Sequence, residues 1–405
     1  MSPEVATKLR TWLLAAVLLI VGACLRLGAA QSFSDPSNRP GQDEFYYAGY
    51  VQILAQHGLG VYPELVERYI AEQQTRTAVL PPMRATYIIA GVIAHWATGL
   101  DARASLNAVS ATFSFLMLPL ALLFAWRAAG PRIALGTLAL MAFAPTQLFM
   151  ARHALIDVVV AFWALAALWA LWESLQQPGD ARRLAALGLS LAVLVLTKET
   201  SFFVVCGLGA LLALNRWLKF GTLHRNIFIA AGVGLLAGLA IMVVLCGGID
   251  RVFEGYRIFV ATAAELPYAI ATGDGPWHRY IFELTLVSPL VVILALTMLA
   301  RLEAGTRPQL FIALFFLTTY AAMAGVRYGV SLRFANLWDF PLCFLAASAV
   351  FALVENLRWR PLLAATAALV LVAASEMHQY RRIFVARNVH DPITPELLRA
   401  VDILK

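Results

Sequence analysis

Charge is scarce in this chain. Of its 405 residues only 14% are Asp, Glu, Lys or Arg, against 61% hydrophobic, and the mean hydropathy is +0.74. A soluble enzyme of this length needs a polar face on most of its helices, and so few charges, lying outside long apolar blocks, cannot supply one. Cysteine is scarce as well. Cys24, Cys206, Cys246 and Cys343 lie in or at the ends of apolar blocks without metal-ligand spacing, which excludes a disulfide framework and leaves them as packing residues. The sequence also has no internal repeat, no low-complexity tract and no linker between globular domains, so neither a repeat array nor a tethered pair of soluble domains is expected.

What is present is a series of uncharged or nearly uncharged blocks, at 12–25, 106–126, 133–150, 158–172, 184–197, 201–215, 226–246, 283–300, 309–326, 340–354 and 361–375. A bilayer is the solvent such blocks require. They predict an all-α polytopic membrane protein with about eleven transmembrane helices, the two shortest crossing by thinning the bilayer. The first block follows Lys8 and Arg10 as in a signal peptide, but it runs into Arg26 without a small-residue cleavage site. It reads as a retained first span.

The formal net charge of +7 comes from Lys and Arg in the short connections between blocks. That is a topology signal, not a nucleic-acid footprint. With a cytoplasmic N-terminus, the connections around Arg127/Arg132, Arg182/Arg183, Arg216/Lys219/Arg225, Arg301/Arg307 and Arg358/Arg360 all fall inside, as the positive-inside rule requires. Parity depends on residues 84–99 (RATYIIAGVIAHWATG), which at ~1.5 Å per residue reach only about 24 Å and include Arg84 and His95. They read as an amphipathic helix on the outer membrane surface, with Tyr87 and Trp96 at the interface. Residues 31–104 then form the first outer loop, 247–281 another long outer loop and 377–405 a short outer tail, all belonging to one transmembrane domain spanning 1–405.

Ionisable groups that flank spans on the outer side carry the chemical information, since such groups near hydrocarbon are costly. Asp43 and Glu44 begin GQDEFYYAGY, with Tyr46, Tyr47 and Tyr50 behind them. Two acids at a helix start serve either as first-turn charge or as site residues. Arg152, His153 and Asp157 sit between two blocks, Asp157 being an N-cap or a site carboxylate. Lys198 and Glu199 stand between two short blocks, as a local ion pair or as a cation held for a phosphate. Trp277, His278 and Arg279 close the 247–281 loop, and Arg327 and Arg333 precede Asp339 and Pro341. Two arginines there suit phosphate recognition or anchor a helix end.

In their order along the chain these segments resemble the glycosyltransferase C superfamily, in the branch of protein O-mannosyltransferases and the lipid A aminoarabinose transferase. The features that carry the resemblance are Asp43-Glu44-Phe45-Tyr46-Tyr47, Pro81-Pro82-Met83 leading to Trp96, Ala102-Arg103-Ala104-Ser105-Leu106, then Pro145, Arg152 and Leu155-Ile156-Asp157, Leu196-Thr197-Lys198, and Arg333-Phe334 with Pro341. The family often has a basic residue immediately before the Pro-Pro, where this chain has Leu80, with Arg84 as the substitute.

The resemblance implies an inverting transfer of a sugar from a polyprenyl-phosphate-linked donor to an acceptor hydroxyl on a protein, glycan or lipid, at the outer face of the cytoplasmic (inner) membrane. It assigns Asp43 as general base, with Glu44 and Asp157 as further catalytic carboxylates. Lys198, Arg333, Arg84 and Arg327 become contacts to the donor phosphate, and Tyr46, Tyr47, Arg152, His278 and Trp277 contacts to substrate. No cofactor is required by this reading, and a divalent metal is an option, with Glu44, Asp157 and His278 as its candidate ligands. The partners are the lipid donor, the acceptor and membrane lipids, without nucleic acid. The competing reading is a secondary transporter with a polar site near the outer membrane face, because charged groups in spans also mark transport paths.

Overall fold

The computed structural model describes residues 3–30, 41–73, 80–302, 307–326, 331–355 and 360–404. Among these every regular element is helical. In chain order they are α1 (Pro3–Ala30), α2 (Gln42–His57), α3 (Tyr62–Gln73), α4 (Ala85–Thr98), α5 (Ala102–Ala129), α6 (Pro131–Phe143), α7 (Pro145–Met150), α8 (Asp157–Gln176), α9 (Ala181–Thr197), α10 (Ser201–Leu218), α11 (Arg225–Cys246), α12 (Ile249–Glu265) and α13 (Pro267–Thr272). They continue with α14 (Arg279–Val287), α15 (Pro289–Ala300), α16 (Arg307–Ala324), a 3₁₀ turn at Leu332–Trp338, α17 (Asp339–Val354), α18 (Pro361–Tyr380), a π-helical turn at Arg381–Ala386, and α19 (Thr394–Ala400).

Every apolar block is helical, and among the described residues seven helices are long and apolar enough to cross a membrane. The chain is therefore a multi-pass membrane protein. Two blocks are broken where proline cannot continue the backbone ladder. Residues 133–150 divide at Pro145 into α6 and α7, and 283–300 divide at Pro289 into α14 and α15. Helix starts follow local chemistry: Asp101 caps α5 by accepting from the Ala104 N–H at 2.9 Å, and Asp180 caps α9 by accepting from Arg182.

Lipid offers no hydrophobic drive for one span to join another, so close approach and internal polar bonds must hold the bundle together. Both occur here. Gly234 and Gly238, four residues apart on α11, lie against Gly188 and Ala192 of α9, so closely that an added Cβ at Gly234 would stand 2.2 Å from the Gly188 carbonyl oxygen. Arg26, fully buried in α1, donates to the Ser114 carbonyl and hydroxyl of α5 at 3.1 and 2.9 Å and to the Met141 and Ala142 carbonyls of α6 at 3.1 and 3.2 Å. A cation that in lipid would be costly thus ties three helices together.

Most of the described residues between α1 and α5 are helical. Tyr50 Oη donates to the Leu80 carbonyl and Tyr62 Oη to the Pro82 carbonyl, both at 2.5 Å, so the Pro-Pro segment is tied to α2 and α3. The 84–99 segment is helical as α4, but Tyr87 is not on its exposed side. It is fully buried, donating to Leu106 O at 3.2 Å and packing edge-on to Tyr47, while Trp96 keeps the exposed position. The hydrophobic face of α4 docks on α5 rather than on lipid, because Gly91 lets Val51 and Leu106 approach. The 247–281 loop is also helical, as α12 and α13, and α12 packs back on α3.

Candidate active site

The first turn of α2 sets the site. Gly41 is extended ahead of the helix, and the turn that follows displays Asp43 and Glu44 about 100° apart around the axis. Adjacent acids therefore face different surroundings. Glu44 turns inward, only 3% exposed, to accept from His153 Nδ1 at 2.8 Å and from Arg103 of α5 at 3.1 Å. Asp43 remains 31% exposed and lies 2.9 Å from Arg333 Nη1. Burial alone would raise the Glu44 carboxyl, but His153 and Arg103 outweigh it and hold the group below the usual carboxylate range.

Two further pairs continue this polar layer. Lys198 Nζ meets Asp157 Oδ1 at 2.6 Å and stands 4.0 Å from the Phe334 ring centroid. Arg84 donates from Nη2 and Nε to Glu199 at 2.6 and 3.2 Å and also donates to Tyr47 Oη. For Arg84 burial disfavours the charge, yet Glu199 and Tyr47 overcome it and raise its pKa above the ordinary value. Lys198 and Glu199 are thus not paired with each other. They diverge, one to α8 and one to the start of α4. Asp157 is not an N-cap either, since Ile156 takes that position and the Asp157 carboxylate is spent on Lys198.

Asp43 and Arg333 open onto a cavity of about 300 Å³. Its polar lining is Gln42, Asp43, Glu44, His153, Arg333, His390 and Asp391, and Leu80, Leu155, Phe259 and Leu266 form apolar walls. A volume of this size accommodates a small ligand or part of a larger one. Among the described residues the enclosed Arg333 Nε has no hydrogen-bond partner, an unsatisfied donor on a guanidinium that borders the cavity.

Several expected residues stand elsewhere. Lys198 and Asp157 lie behind the cavity lining, Asp157 instead bordering a space of only about 10 Å³ beside Phe334. Of the two tyrosines Tyr46 lines the cavity and Tyr47 is enclosed against Arg84. Arg152 reaches Tyr380 Oη of α18 at 3.4 Å, and Trp277 and His278 stack edge to face on an exposed turn outside the lining. Arg327 lies outside the described residues. As for a divalent ion, among the described residues no three His, Cys, Asp or Glu side chains converge; Glu44 and Asp157 are each engaged by cations and His278 stands apart from both.

Sequence reasoning missed Phe259, Thr262 and Leu266, which α12 and its end bring over the cavity, and His390 and Asp391 from the tail. Nothing in the sequence around 390 signals a site. The recurrence of apolar residues every three or four positions in 249–265, at Ile249, Val252, Phe253, Tyr256 and Phe259, was the available clue that this loop is an amphipathic helix.

A model of the dolichyl-phosphate-mannose-protein mannosyltransferase family matches residues 57–252. Among curated proteins no sequence matches the chain. In fold the chain is similar to ArnT from Cupriavidus metallidurans, with TM-score 0.56 and 17% identity over 95% of this chain and 66% of that one. It is also similar to the Archaeoglobus fulgidus oligosaccharyltransferase in its apo form, with TM-score 0.60 and 14% identity over 91% of this chain and 55% of that one. The chain thus spans less than two thirds of the length of these solved structures. The family model matches just under half of the chain, and the helical fold is shared with these solved structures.

Proposed function

We propose that this protein transfers a sugar from a polyprenyl-phosphate-linked donor to an acceptor hydroxyl, with inversion at the anomeric carbon, at the outer face of the cytoplasmic membrane. The observation that carries the reading is the Asp43–Arg333 pair at the lining of the cavity, with an Arg333 guanidinium donor that has no partner among the described residues. Solved relatives support the lipid: one ArnT structure is bound to undecaprenyl phosphate, and an Archaeoglobus fulgidus structure holds dolichol-phosphate with an inhibitory peptide.

Without ligand, Arg333 neutralises Asp43. A donor phosphate competes for the guanidinium, and as Arg333 turns to it the Asp43 carboxylate is released to act as base. The acceptor oxygen then attacks the anomeric carbon, the bond from that carbon to the phosphate oxygen breaks, the acceptor proton passes to Asp43, and polyprenyl phosphate leaves. General-base action of this kind contributes about 10²- to 10⁴-fold. Cations placed where the leaving phosphate gains charge supply the remaining stabilisation. Arg333 is the first such group, with Lys198 and Arg84 behind it once the phosphate draws them from Asp157 and Glu199. Glu44, clamped by His153 and Arg103, orients the α2 turn that carries Asp43. Two cation–carboxylate sets at the cavity lining, Asp43–Arg333 and Glu44 with His153 and Arg103, and two more behind it, Asp157–Lys198 and Arg84–Glu199, support a transferase over a transporter, whose paired half-sites would lie between repeats.

The test is release of free polyprenyl phosphate from a panel of polyprenyl-phosphate sugars, by protein in nanodiscs with acceptors from a membrane extract. Asp43→Asn is expected to lower release by roughly 10²-fold or more while undecaprenyl phosphate still binds. Full turnover by that variant would remove Asp43 from the chemistry.

A further inference from the structure

The tail beyond α18 does more than end the chain. After α18 the helix widens into the π-helical turn Arg381–Ala386, an irregularity common at functional sites. Asn388 then takes a left-handed conformation, φ +48, which asparagine tolerates better than most residues. The chain reverses there, the Val389 N–H donating to Ile383 O at 3.2 Å. Beyond the reversal α19 is pinned, with Leu397 and Ala400 buried and Thr394 Oγ1 donating to Glu283 Oε1 at 2.6 Å. Between these two anchors His390 and Asp391 are delivered into the cavity that holds Asp43.

Their bonding is incomplete in a way that structural residues seldom allow. Among the described residues the buried His390 Nε2 has no hydrogen-bond partner, although its ring packs edge-on to His153 at 5.2 Å. Among the described residues the Asp391 carboxylate makes neither a hydrogen bond nor an ion pair, and the charges that act on it are those of Asp43 and Glu396. Burial, then those two acids, push it up to about 6.

We propose that His390 and Asp391 form a hydrogen-bonding subsite for hydroxyl groups of the reactants beside Asp43. A carboxylate surrounded by acids is a poor host for a phosphate and a good acceptor for O–H donors. An imidazole nitrogen next to it supplies the complementary donor or acceptor. Burial first, then the neighbouring His153 and Arg103, push the His390 pKa down, and a neutral imidazole donates from one nitrogen and accepts at the other. Neighbouring groups of this kind suit neighbouring hydroxyls, whether on the transferred sugar or on the acceptor. This inference rests on the transferase reading above, and it assigns to the tail a share in substrate selection.

The experiment compares wild type, Asp391→Asn, His390→Gln and Asp43→Asn in nanodiscs. Asp402→Asn serves as a control in the same segment, where among the described residues Asp402 pairs with half-buried Arg382 and exposed Arg387. Three quantities are read: binding of undecaprenyl phosphate, hydrolysis of undecaprenyl-phosphate-linked mannose without acceptor, and transfer to acceptors of a membrane extract as their concentration is varied. For either subsite variant, a rise in KM of roughly tenfold with undecaprenyl phosphate binding unchanged is the expected result. A rise for acceptor alone assigns the subsite to the acceptor, and a rise for the mannose donor in hydrolysis assigns it to the sugar. Both variants keeping wild-type KM values, or both losing undecaprenyl phosphate binding, would overturn the subsite. Should Asp43→Asn transfer normally, the base assignment fails instead; an inactive Asp43→Asn beside Asp391→Asn and His390→Gln that both keep wild-type KM values removes the subsite alone.

Discussion

Asp157 and Lys198 show how much a single buried pair decides. Both are almost fully enclosed, 6% and 4% exposed, with 2.6 Å between the charged atoms. Removing one partner strands the other charge, at a cost of about 3–5 kcal/mol. We therefore expect Asp157→Asn and Lys198→Met each to lower the unfolding midpoint sharply, and the double variant to lose far less than the sum of the two. Donor turnover is expected to stay low in the double variant although its stability returns, because Lys198 is then missing from the leaving phosphate. A double variant with wild-type turnover would show the pair to be purely structural. Residues such as Asp43 and Arg333 were recognisable from the sequence because polar groups stand out against apolar spans. Which acid meets which cation was not, since the partners are separated by 41 to 290 positions in the chain. Asp157 resembled a cap and Lys198-Glu199 a local pair, and both local readings lost to partners on other helices.

At the scale of elements, small residues decide where helices approach. The α9–α11 contact depends on Gly188, Gly234 and Gly238, where backbone meets backbone. Gly234→Val is expected to force the two helices apart and to destabilise the bundle by about 1–3 kcal/mol, as overpacking does; an unchanged unfolding midpoint in detergent would show that α11 shifts without penalty. Gly232, two positions earlier, has open space about its would-be Cβ, so Gly232→Ala is the matched control. Helix positions were legible because hydropathy and proline are local properties. The breaks at Pro145 and Pro289 follow from ring chemistry. The inward turn of Tyr87 and the docking of α12 over the cavity were not legible, since amphipathic helices at a membrane surface and against a protein face share one pattern.

For the whole molecule, orientation is the property to check. The proposed topology places the connection between α8 and α9 in the cytoplasm, next to Arg182 and Arg183, and the turn before α14 outside. In a background without the four native cysteines, Gly179→Cys is expected to resist an impermeant maleimide on intact spheroplasts and Asp274→Cys to react; both positions are exposed on the protein surface. The reverse pattern would place the cavity in the cytoplasm and overturn the proposed location of the reaction. By itself the amino-acid sequence determined that the chain lives in a membrane, where its helices lie, and which polar residues are too costly to be idle. Solvent transfer and helix geometry are local quantities that add along the chain. Only the tertiary structure decided that Asp43 faces a cavity while Glu44 faces a clamp, that Lys198, Arg84 and Arg333 already hold carboxylates, and that His390 and Asp391 return to the site. Those outcomes depend on contacts between segments far apart in sequence, and no local pattern encodes them.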